Sequence, residues 1–271
     1  MALPELNSVL AQKVEVAPGL IIFRIVPEGW ELPDFIPGQY IVLGLPPGAP
    51  RYLYSDPEPA PPREDKLVRR AYSIASSSIE KQYVEFYIRL VTSGTLTPRL
   101  FAMNIGDKLW MSAKTKGMFT MDEVPQEQNI ILFATGTGVA PYMSMLRSNI
   151  ISQEKRKYTV VHSALNSWDL GYRSELLTIE RLCPNFTYIP VISEPDKEPI
   201  PWGGRIGFVQ KIWGENIIQD LWGYEISPAN TRIFLCGHPE MIREMLELLG
   251  RSGFHEHTKL EPGSIHMEKY W

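Results

Sequence analysis

A glycine-rich turn follows an apolar stretch in the second half of the chain, where residues 129–134 read NIILFA. The turn itself, residues 134–141, reads ATGTGVAP. Glycines let a backbone approach a phosphate closely, and the start of the following helix offers unpaired N–H groups and a positive dipole end. The turn has neither the G-x-G-x-x-G spacing nor the lysine of a P-loop. The turn therefore predicts a pyrophosphate-binding site. The alternative interpretation is that the glycines serve only the geometry of an ordinary strand-to-helix turn.

A second candidate segment is FLCGHP at residues 234–239, which closes another predicted strand. In open α/β sheets ligands bind beyond the carboxyl ends of strands, and both this segment and the glycine turn lie there. We therefore expect Cys236 and Gly237 to share one crevice with Thr135. A small buried hydrophobic residue is the alternative interpretation of Cys236.

In the first half, residues 69–76 read RRAYSIAS and carry polar side chains where a strand usually holds Val or Ile. Strand alternation predicts Arg70 and Tyr72 on one face and Ser73 on the other. Such a strand can clamp a phosphate with Arg70, pack a flat ring against Tyr72 and bind a polar ring edge through Ser73. Residues 93–97, SGTLT, form a second candidate phosphate turn, for which a plain helix N-cap is the alternative.

The histidines indicate neither a catalytic base nor a metal site. His162 ends an apolar strand, and we interpret it as a buried core or crevice residue. His255 and His257 stand two residues apart, but no third ligand follows at a familiar spacing. This segment is therefore interpreted as a solvated loop, and no metal is predicted.

The elements that must position these residues change character near residue 125. The first half contains short β-rich stretches separated by glycine and proline, which predict an antiparallel barrel or sandwich. The predicted strands are 14–16, 19–26, 39–45, 70–75, 83–90 and 108–112, with one short helix within 95–103. Residues 46–62 hold seven prolines in seventeen positions and are predicted to be a surface excursion between two strands.

The second half alternates strands with helices, which predicts a parallel sheet covered on both faces. The predicted strands are 129–134, 158–162, 186–192 and 231–236, and the predicted helices are 139–147, 172–182, 205–213 and 240–249. We therefore predict two domains, an antiparallel β-barrel over 1–124 and a Rossmann-like α/β domain over 125–271.

Composition excludes several classes of protein. Lys and Arg total 27 against 31 for Asp and Glu, and this net charge of −4 argues against a nucleic-acid binder. The two cysteines, Cys183 and Cys236, are too few for an iron–sulfur or four-cysteine metal site and fit a reducing cytoplasm. The N-terminus shows no signal-peptide pattern and no window reaches 18 apolar residues, so we expect neither secretion nor a membrane span.

The motifs together resemble those of the bacterial ferredoxin (flavodoxin)–NADP reductase family. They occur in order over nearly the whole chain: RAYSIAS at 70–76, LVTSGTLTPRL at 90–100, FATGTGVAPYMS at 133–144, LCGHP at 235–239 and HMEKYW at 266–271. The resemblance implies an FAD-binding barrel followed by a nicotinamide-nucleotide domain.

The resemblance also implies roles for individual residues. Ser73, near flavin N5, and Cys236, beside the nicotinamide, would flank the reaction site. The positions implied for FAD are Arg70, Ala71, Tyr72, Ser73, Tyr87, Ile88, Arg89, Gly94, Leu96, Thr97, Tyr270 and Trp271, the last two as an aromatic tail covering the flavin. Those implied for the nicotinamide nucleotide are Thr135, Gly136, Thr137, Gly138, Arg205, Cys236 and Gly237.

The chain departs from the family pattern where arginines would hold the 2′-phosphate of NADP. Leu165 aligns with the first of these arginines and Glu194 with the second, while Arg205 matches a remaining one and Arg173 is a possible substitute. An acidic side chain repels a 2′-phosphate and can accept hydrogen bonds from ribose hydroxyls. NADP and NAD therefore both stay open as the coenzyme.

The function that the resemblance implies is hydride transfer between NAD(P)H and flavin N5, coupled to one-electron exchange with ferredoxin or flavodoxin. We expect a cytoplasmic monomer. Two alternatives remain: the reductase component of an oxygenase system, and a non-catalytic flavin electron-transfer subunit. The sequence leaves the physiological direction, the electron-transfer partner and the role of residues 46–62 undecided.

Overall fold

The computed structural model describes residues 3–58, 60–149 and 155–269. The chain forms two compact units, which comprise the described residues of 1–120 with 140–148, and of 121–139 with 149–271. No helix among the described residues is long and apolar enough to cross a membrane. The two-domain fold class is confirmed, with an antiparallel barrel-like sheet followed by a parallel α/β sheet.

The first unit is built on a six-stranded sheet with the strand order β4-β3-β6-β1-β2-β5. Its strands are β1 (Ser8–Ala17), β2 (Leu20–Pro27), β3 (Tyr40–Leu45), β4 (Val68–Ser73), β5 (Val84–Arg89) and β6 (Lys108–Met111), and helix α1 covers Thr97–Ala102. Every paired strand is antiparallel. Alternate apolar side chains such as Phe23 and Phe86 fill the interior without any exposure, which is the pattern of a sheet closed around one core.

Helix α2 (Ala140–Ser148) belongs to the first unit, although it follows the first strand of the second sheet. Its Arg147 Nη1 lies 2.7 Å from Oε1 of Glu85, whose Oε2 lies 2.7 Å from Nε of Arg24. Arg147 Nη1 also donates to the Ala75 carbonyl at 2.8 Å. The Glu85 side chain is 1% exposed, so its charge depends on both guanidinium groups for compensation.

The second unit holds a six-stranded parallel sheet with the strand order β10-β9-β8-β7-β11-β12. Its strands are β7 (Asn129–Thr135), β8 (Tyr158–Ala164), β9 (Phe186–Ile192), β10 (Arg205–Ile206), β11 (Thr231–Gly237) and β12 (Ile265–Lys269). Its helices are α3 (Arg173–Leu182), α4 (Val209–Gly214), α5 (Ile217–Trp222) and α6 (Pro239–Arg251), with short 3₁₀ turns at Gly136–Val139, Ser167–Asp169 and Pro195–Lys197. The central strands are buried on both faces, as parallel strands covered by helices must be.

Several predicted elements are corrected by the structure. The predicted helix over 205–213 is wrong at its start, because Arg205 and Ile206 pair with Val191 and Ile192 as edge strand β10. The first strand begins at Ser8 rather than Val14. Two elements, α5 and β12, have no counterpart in the sequence prediction. Strand β12 forms because its backbone pairs in parallel with β11, which is a long-range contact without a local signal.

Candidate functional site

In the second unit, the glycine turn and the end of β11 come together because β7 and β11 are neighbouring parallel strands. Ala134 is in register with Cys236. A Cβ atom on Gly138 would collide with the Cys236 carbonyl, and one on Gly237 would collide with the Thr135 side chain. Only glycine fits at either position, and the predicted convergence of these two strand ends on one site is observed.

The backbone at this turn adopts conformations that only glycine takes up readily. Gly136 has φ +53° and Gly237 has φ +135°, both in the region that favours glycine. A Cβ atom on Gly136 would meet nothing within 4 Å, so the turn is open above this residue. Thr135 Oγ1 accepts a 2.7 Å hydrogen bond from the His238 backbone N–H, which ties the turn to the start of α6. His238 was not among the predicted site residues.

His162 lies beneath the glycine turn and is fully buried. It occupies the same register row as Ala134, and its Nε2 is 2.9 Å from the Gly136 carbonyl oxygen. A carbonyl only accepts, so Nε2 carries the hydrogen. Burial lowers the pKa of His162 to about 4, and the ring is therefore neutral at physiological pH. Nδ1 has no hydrogen-bond partner within the described part of the chain. The sequence prediction of a buried crevice histidine is confirmed, but its link to Gly136 was missed.

The loops after β8 and β9 form an edge of the second unit with an acidic character. The Glu194 backbone N–H donates to the Leu165 carbonyl at 2.9 Å, so the two departures from the family pattern are adjacent. The Glu194 carboxylate lies 2.6 Å from Lys197 Nζ. Glu198 accepts 2.7 Å hydrogen bonds from both the backbone N–H and the hydroxyl of Ser167. Lys197 and Ser167, two groups at this edge that could bind an anion, are thus already bonded to the carboxylates of Glu194 and Glu198.

Two predicted nucleotide-binding arginines lie beside Trp202. The Arg173 guanidinium carbon stands 4.7 Å from the centre of the Trp202 ring, a cation–π geometry. Trp202 Nε1 donates to the Arg205 carbonyl at 3.0 Å. The Arg205 residue is exposed at the sheet edge in β10. These contacts bring the Arg173 guanidinium and the Arg205 backbone to the same indole ring.

In the first unit, Arg70 and the SGTLT turn are brought together. Arg70 on β4 is exposed, and its Nη2 lies 3.3 Å from Thr95 Oγ1. The turn is tight, because a Cβ atom on Gly94 would stand 3.0 Å from the Val91 carbonyl oxygen. The Thr97 hydroxyl accepts from the Val91 N–H and donates to its carbonyl, which closes the turn. Thr95 was not among the predicted FAD residues, although it lies within the quoted motif.

The remaining predicted FAD residues lie on β4 and β5. Tyr72 is half-buried with its ring edge-on to Phe86, and burial raises the pKa of its hydroxyl. Ser73 is buried at the end of β4, while Ala71 is exposed. Among the residues of the predicted adenosine-diphosphate strand, the Tyr87 and Ile88 side chains are buried and Arg89 is exposed. Leu96 is a core residue of the first unit.

The residues present fit both cofactors of the resemblance. In the first unit the exposed Arg70 guanidinium lies beside the tight turn at Gly94, and in the second unit Gly138 and Gly237 stand where a Cβ atom would collide with neighbouring atoms. The described residues contain no group of three His, Cys, Asp or Glu side chains able to hold a metal ion. The predicted flavin cover, Tyr270 and Trp271, lies outside the described residues.

This architecture, a barrel with a phosphate turn and a parallel sheet with a glycine turn, defines a class of two-domain flavin and nicotinamide oxidoreductases. Comparison with known proteins agrees. The profile of the oxidoreductase FAD-binding domain matches residues 9–121, and that of the oxidoreductase NAD-binding domain matches residues 132–247.

Individual relatives narrow this class. The chain is 30% identical over 210 residues to a flavodoxin/ferredoxin–NADP reductase of Buchnera aphidicola, covering 77% of this chain and 83% of the relative. It is 27% identical over 209 residues to that of Escherichia coli, covering 77% and 83%. A ferredoxin–NADP⁺ reductase of Neisseria gonorrhoeae, solved with FAD and NADP, superposes with a TM-score of 0.81 at 22% identity and 98% coverage of both chains. The chain belongs to the flavodoxin/ferredoxin–NADP reductase family and is an FAD-dependent oxidoreductase.

Proposed function

We propose that this protein transfers hydride between a nicotinamide nucleotide and FAD and exchanges single electrons with ferredoxin or flavodoxin. The observation that carries the proposal is the convergence of Gly138, Cys236 and Gly237 on a turn that leaves open space above Gly136. The relatives named flavodoxin/ferredoxin–NADP reductase support the choice of electron partner.

In this proposal one set of residues binds FAD and another set binds the nicotinamide coenzyme. Arg70 and the turn at Gly94 bind the FAD pyrophosphate, and Tyr72 packs against the isoalloxazine. The Thr135–Gly138 turn binds the coenzyme pyrophosphate through backbone N–H groups. When bound, FAD supplies hydride acceptance and release of electrons one at a time. The domain division at residues 1–124 and 125–271 belongs to this proposal.

Ser73 and Cys236 are the residues proposed to lie against the reacting rings. Both are buried, at 6% and 0% exposure, so each can donate or accept a hydrogen bond with little competition from water. Neither residue needs to change its own redox state. Their role is to orient the two rings and to exclude solvent from the hydride path.

We further propose that NADH is accepted alongside or in place of NADPH. This is supported by Leu165 and Glu194, which stand at the positions where the family pattern has arginines, and by the hydrogen bonds of Glu198 to Ser167. Carboxylates at this edge repel a 2′-phosphate and suit ribose hydroxyls. Arg173 and Arg205 are the cations that favour NADPH, so the preference depends on the balance of these charges.

Anaerobic stopped-flow absorbance tests both proposals. The purified protein should be yellow, and mixing with NADPH or NADH should bleach the flavin band, with reoxidation on adding oxidised ferredoxin or flavodoxin. Colourless protein that takes up no FAD would refute the flavin assignment. A yellow protein that neither coenzyme bleaches would instead favour the non-catalytic electron-transfer subunit.

We also propose that the protein is a monomer and that it is located in the cytoplasm. Neither Cys183 nor Cys236 forms a disulfide among the described residues, and a reducing compartment preserves that state. Light scattering coupled to size-exclusion chromatography should give a mass near 30.9 kDa for the polypeptide. A doubled mass would exclude the monomer.

A further inference from the structure

The proline-rich segment 46–62 between β3 and β4 is the one sequence feature without a function so far. Its described residues form neither helix nor strand. They are nevertheless anchored to the first unit, because Ala49 and Tyr52 pack against its core. The Tyr52 ring lies 5.9 Å from the Phe101 ring in an edge-on contact. We call residues 46–62 the strap.

Two residues of the strap, Arg51 and Asp56, form hydrogen bonds with residues 92–94. The Asp56 backbone N–H donates to the Thr92 carbonyl at 3.0 Å, and the Thr92 hydroxyl donates to the Asp56 carboxylate at 2.8 Å. Arg51 Nη1 donates to the Gly94 carbonyl at 3.0 Å. The turn is therefore held at two of its backbone positions by residues that are more than thirty positions away in the chain.

A cluster of three charged residues, Arg51, Glu58 and Arg99, holds the two ends of the strap next to the turn. Arg99 on α1 is 2% exposed and forms a two-pronged ion pair with Glu58, with Nη1–Oε1 at 2.6 Å and Nη2–Oε2 at 3.0 Å. Its guanidinium also donates to the carbonyls of Pro47 and Thr95. Arg51 completes the cluster with a 3.0 Å contact to the same Glu58 oxygen.

The geometry of this cluster explains why a carboxylate is needed in the strap. Arg99 is buried and charged, and its carbonyl partners do not neutralise it. Glu58 is the carboxylate that meets it, and the guanidinium of Arg99 holds the pKa of Glu58 below its usual value. The Glu58–Arg99 pair therefore holds the guanidinium that donates to the Thr95 carbonyl.

We propose that the strap is a flavin-retaining device, in which Glu58 is a positioning residue that fixes the FAD phosphate turn through Arg99 and Arg51. This rests on the proposed function, since it takes residues 94–97 as the turn that binds FAD. The strap presets the turn before the cofactor arrives. Preorganisation of this kind slows the dissociation of a ligand without adding a contact to it.

The experiment compares Glu58→Ala with wild type by two measurements on the full chain. The first is the FAD dissociation constant of reconstituted apoprotein, followed by quenching of flavin fluorescence. The second is hydrogen exchange of residues 91–97 in the apoprotein. We expect a rise of about tenfold or more in the dissociation constant, because a two-pronged charged contact is lost, together with faster exchange of the turn.

Three further variants keep the result interpretable. Glu64→Ala removes an exposed carboxylate that follows the strap and should leave FAD affinity unchanged. Glu58→Gln keeps an acceptor oxygen for Arg99 and should recover part of the affinity. Arg51→Ala removes the direct bond to Gly94 while leaving the Glu58–Arg99 pair intact, so it remains informative if Glu58→Ala does not fold.

The outcomes separate this proposal from the proposed function. Faster exchange of the turn with unchanged FAD affinity in Glu58→Ala and Arg51→Ala overturns the role of the strap in flavin retention. Unchanged exchange in both variants overturns the positioning of the turn by the strap. A wild-type protein that binds no FAD refutes the proposed function instead, and the exchange data still report on the strap.

Discussion

The two turns proposed to bind phosphate are built on opposite principles. The turn at residues 91–97 in the first unit is surrounded by two guanidinium groups and two carboxylates, those of Arg51, Arg99, Asp56 and Glu58, so side chains from distant segments define its shape. The turn at residues 135–138 in the second unit is defined by glycines and by a neutral histidine. A resident cofactor gains from charge and preorganisation, whereas a coenzyme that must leave after every turnover is served by backbone N–H groups alone.

The largest expected effect is at the glycine turn. Gly138→Ala places a Cβ atom against the Cys236 carbonyl, so we expect flavin reduction by either coenzyme to slow by about 100-fold or more. Stopped-flow absorbance measures this rate, and FAD content should stay at the wild-type level.

Gly250→Ala on α6 is the matched control, because a Cβ atom there meets nothing within 4 Å. It should reduce flavin at the wild-type rate. A normal rate in Gly138→Ala would mean that steric closeness of the backbone does not define the coenzyme site.

The second prediction concerns charge at the FAD turn. Arg70→Ala removes the exposed guanidinium beside Thr95, and we expect the FAD dissociation constant to rise about tenfold to hundredfold, the value of one charged hydrogen bond. Raising the ionic strength should weaken FAD binding more steeply in wild type than in the variant.

Arg63→Ala provides the control for that variant, since Arg63 is exposed and paired with Asp65. It should bind FAD as wild type does. Equal salt dependence in wild type and Arg70→Ala would show that the first turn, like the second, works without side-chain charge.

The third prediction uses the neutrality of His162. Its folded pKa of about 4 is below the ordinary value of 6.5, so the unfolded chain binds the extra proton and stability falls as pH falls from 6.5 toward 4. Between pH 7 and pH 5, wild type should lose about 2 kcal/mol more unfolding free energy than His162→Phe. Urea unfolding at both pH values measures it.

His266 shares a lowered pKa of about 4, but it is present in both proteins and cancels from the difference. Parallel losses in wild type and His162→Phe would mean that burial does not lower the pKa of His162.

The smallest expected effect tests the acidic edge of the second unit. Glu194→Arg should raise the ratio of NADPH to NADH affinity by about fivefold to tenfold, because a partly exposed cation replaces an anion. Calorimetry with 2′-phospho-AMP and AMP, which differ by the same 2′-phosphate, measures this ratio of affinities without turnover. Glu225→Arg makes the same change of net charge at another exposed site, and an equal shift there would assign the effect to overall charge.

Sequence reasoning singles out both of the turns proposed to bind phosphate, because the features that mark them are local. Glycine spacing in 134–141 and the alternation of Arg70 and Tyr72 are readable without tertiary contacts. The sequence predicts that the strap is a surface excursion. It does not predict a role for the strap, because the partners Thr92, Gly94 and Arg99 lie far along the chain. The proline content predicts that this segment lies outside the sheet. It does not predict which residues the segment contacts.

The same limit explains the missed elements. β12 exists through parallel pairing with β11 across more than twenty residues, and β10 is a two-residue edge beside β9. His162 was placed correctly as buried, but its hydrogen bond to Gly136 depends on the register between β7 and β8. Which strands pair in a parallel sheet depends on contacts between distant segments, and local periodicity does not specify those contacts.

The position of α2 determines how the polypeptide can be divided or recombined. The chain completes β7 in the second unit, returns to the first unit with α2, and then goes back to the second. A cut near residue 125 separates Arg147 from the buried carboxylate of Glu85 and leaves that charge to the remaining guanidinium of Arg24. A cut after α2 removes β7 from the centre of its sheet. No single break therefore yields two intact modules, and chimaeras with a relative must exchange α2 together with the barrel that it packs on.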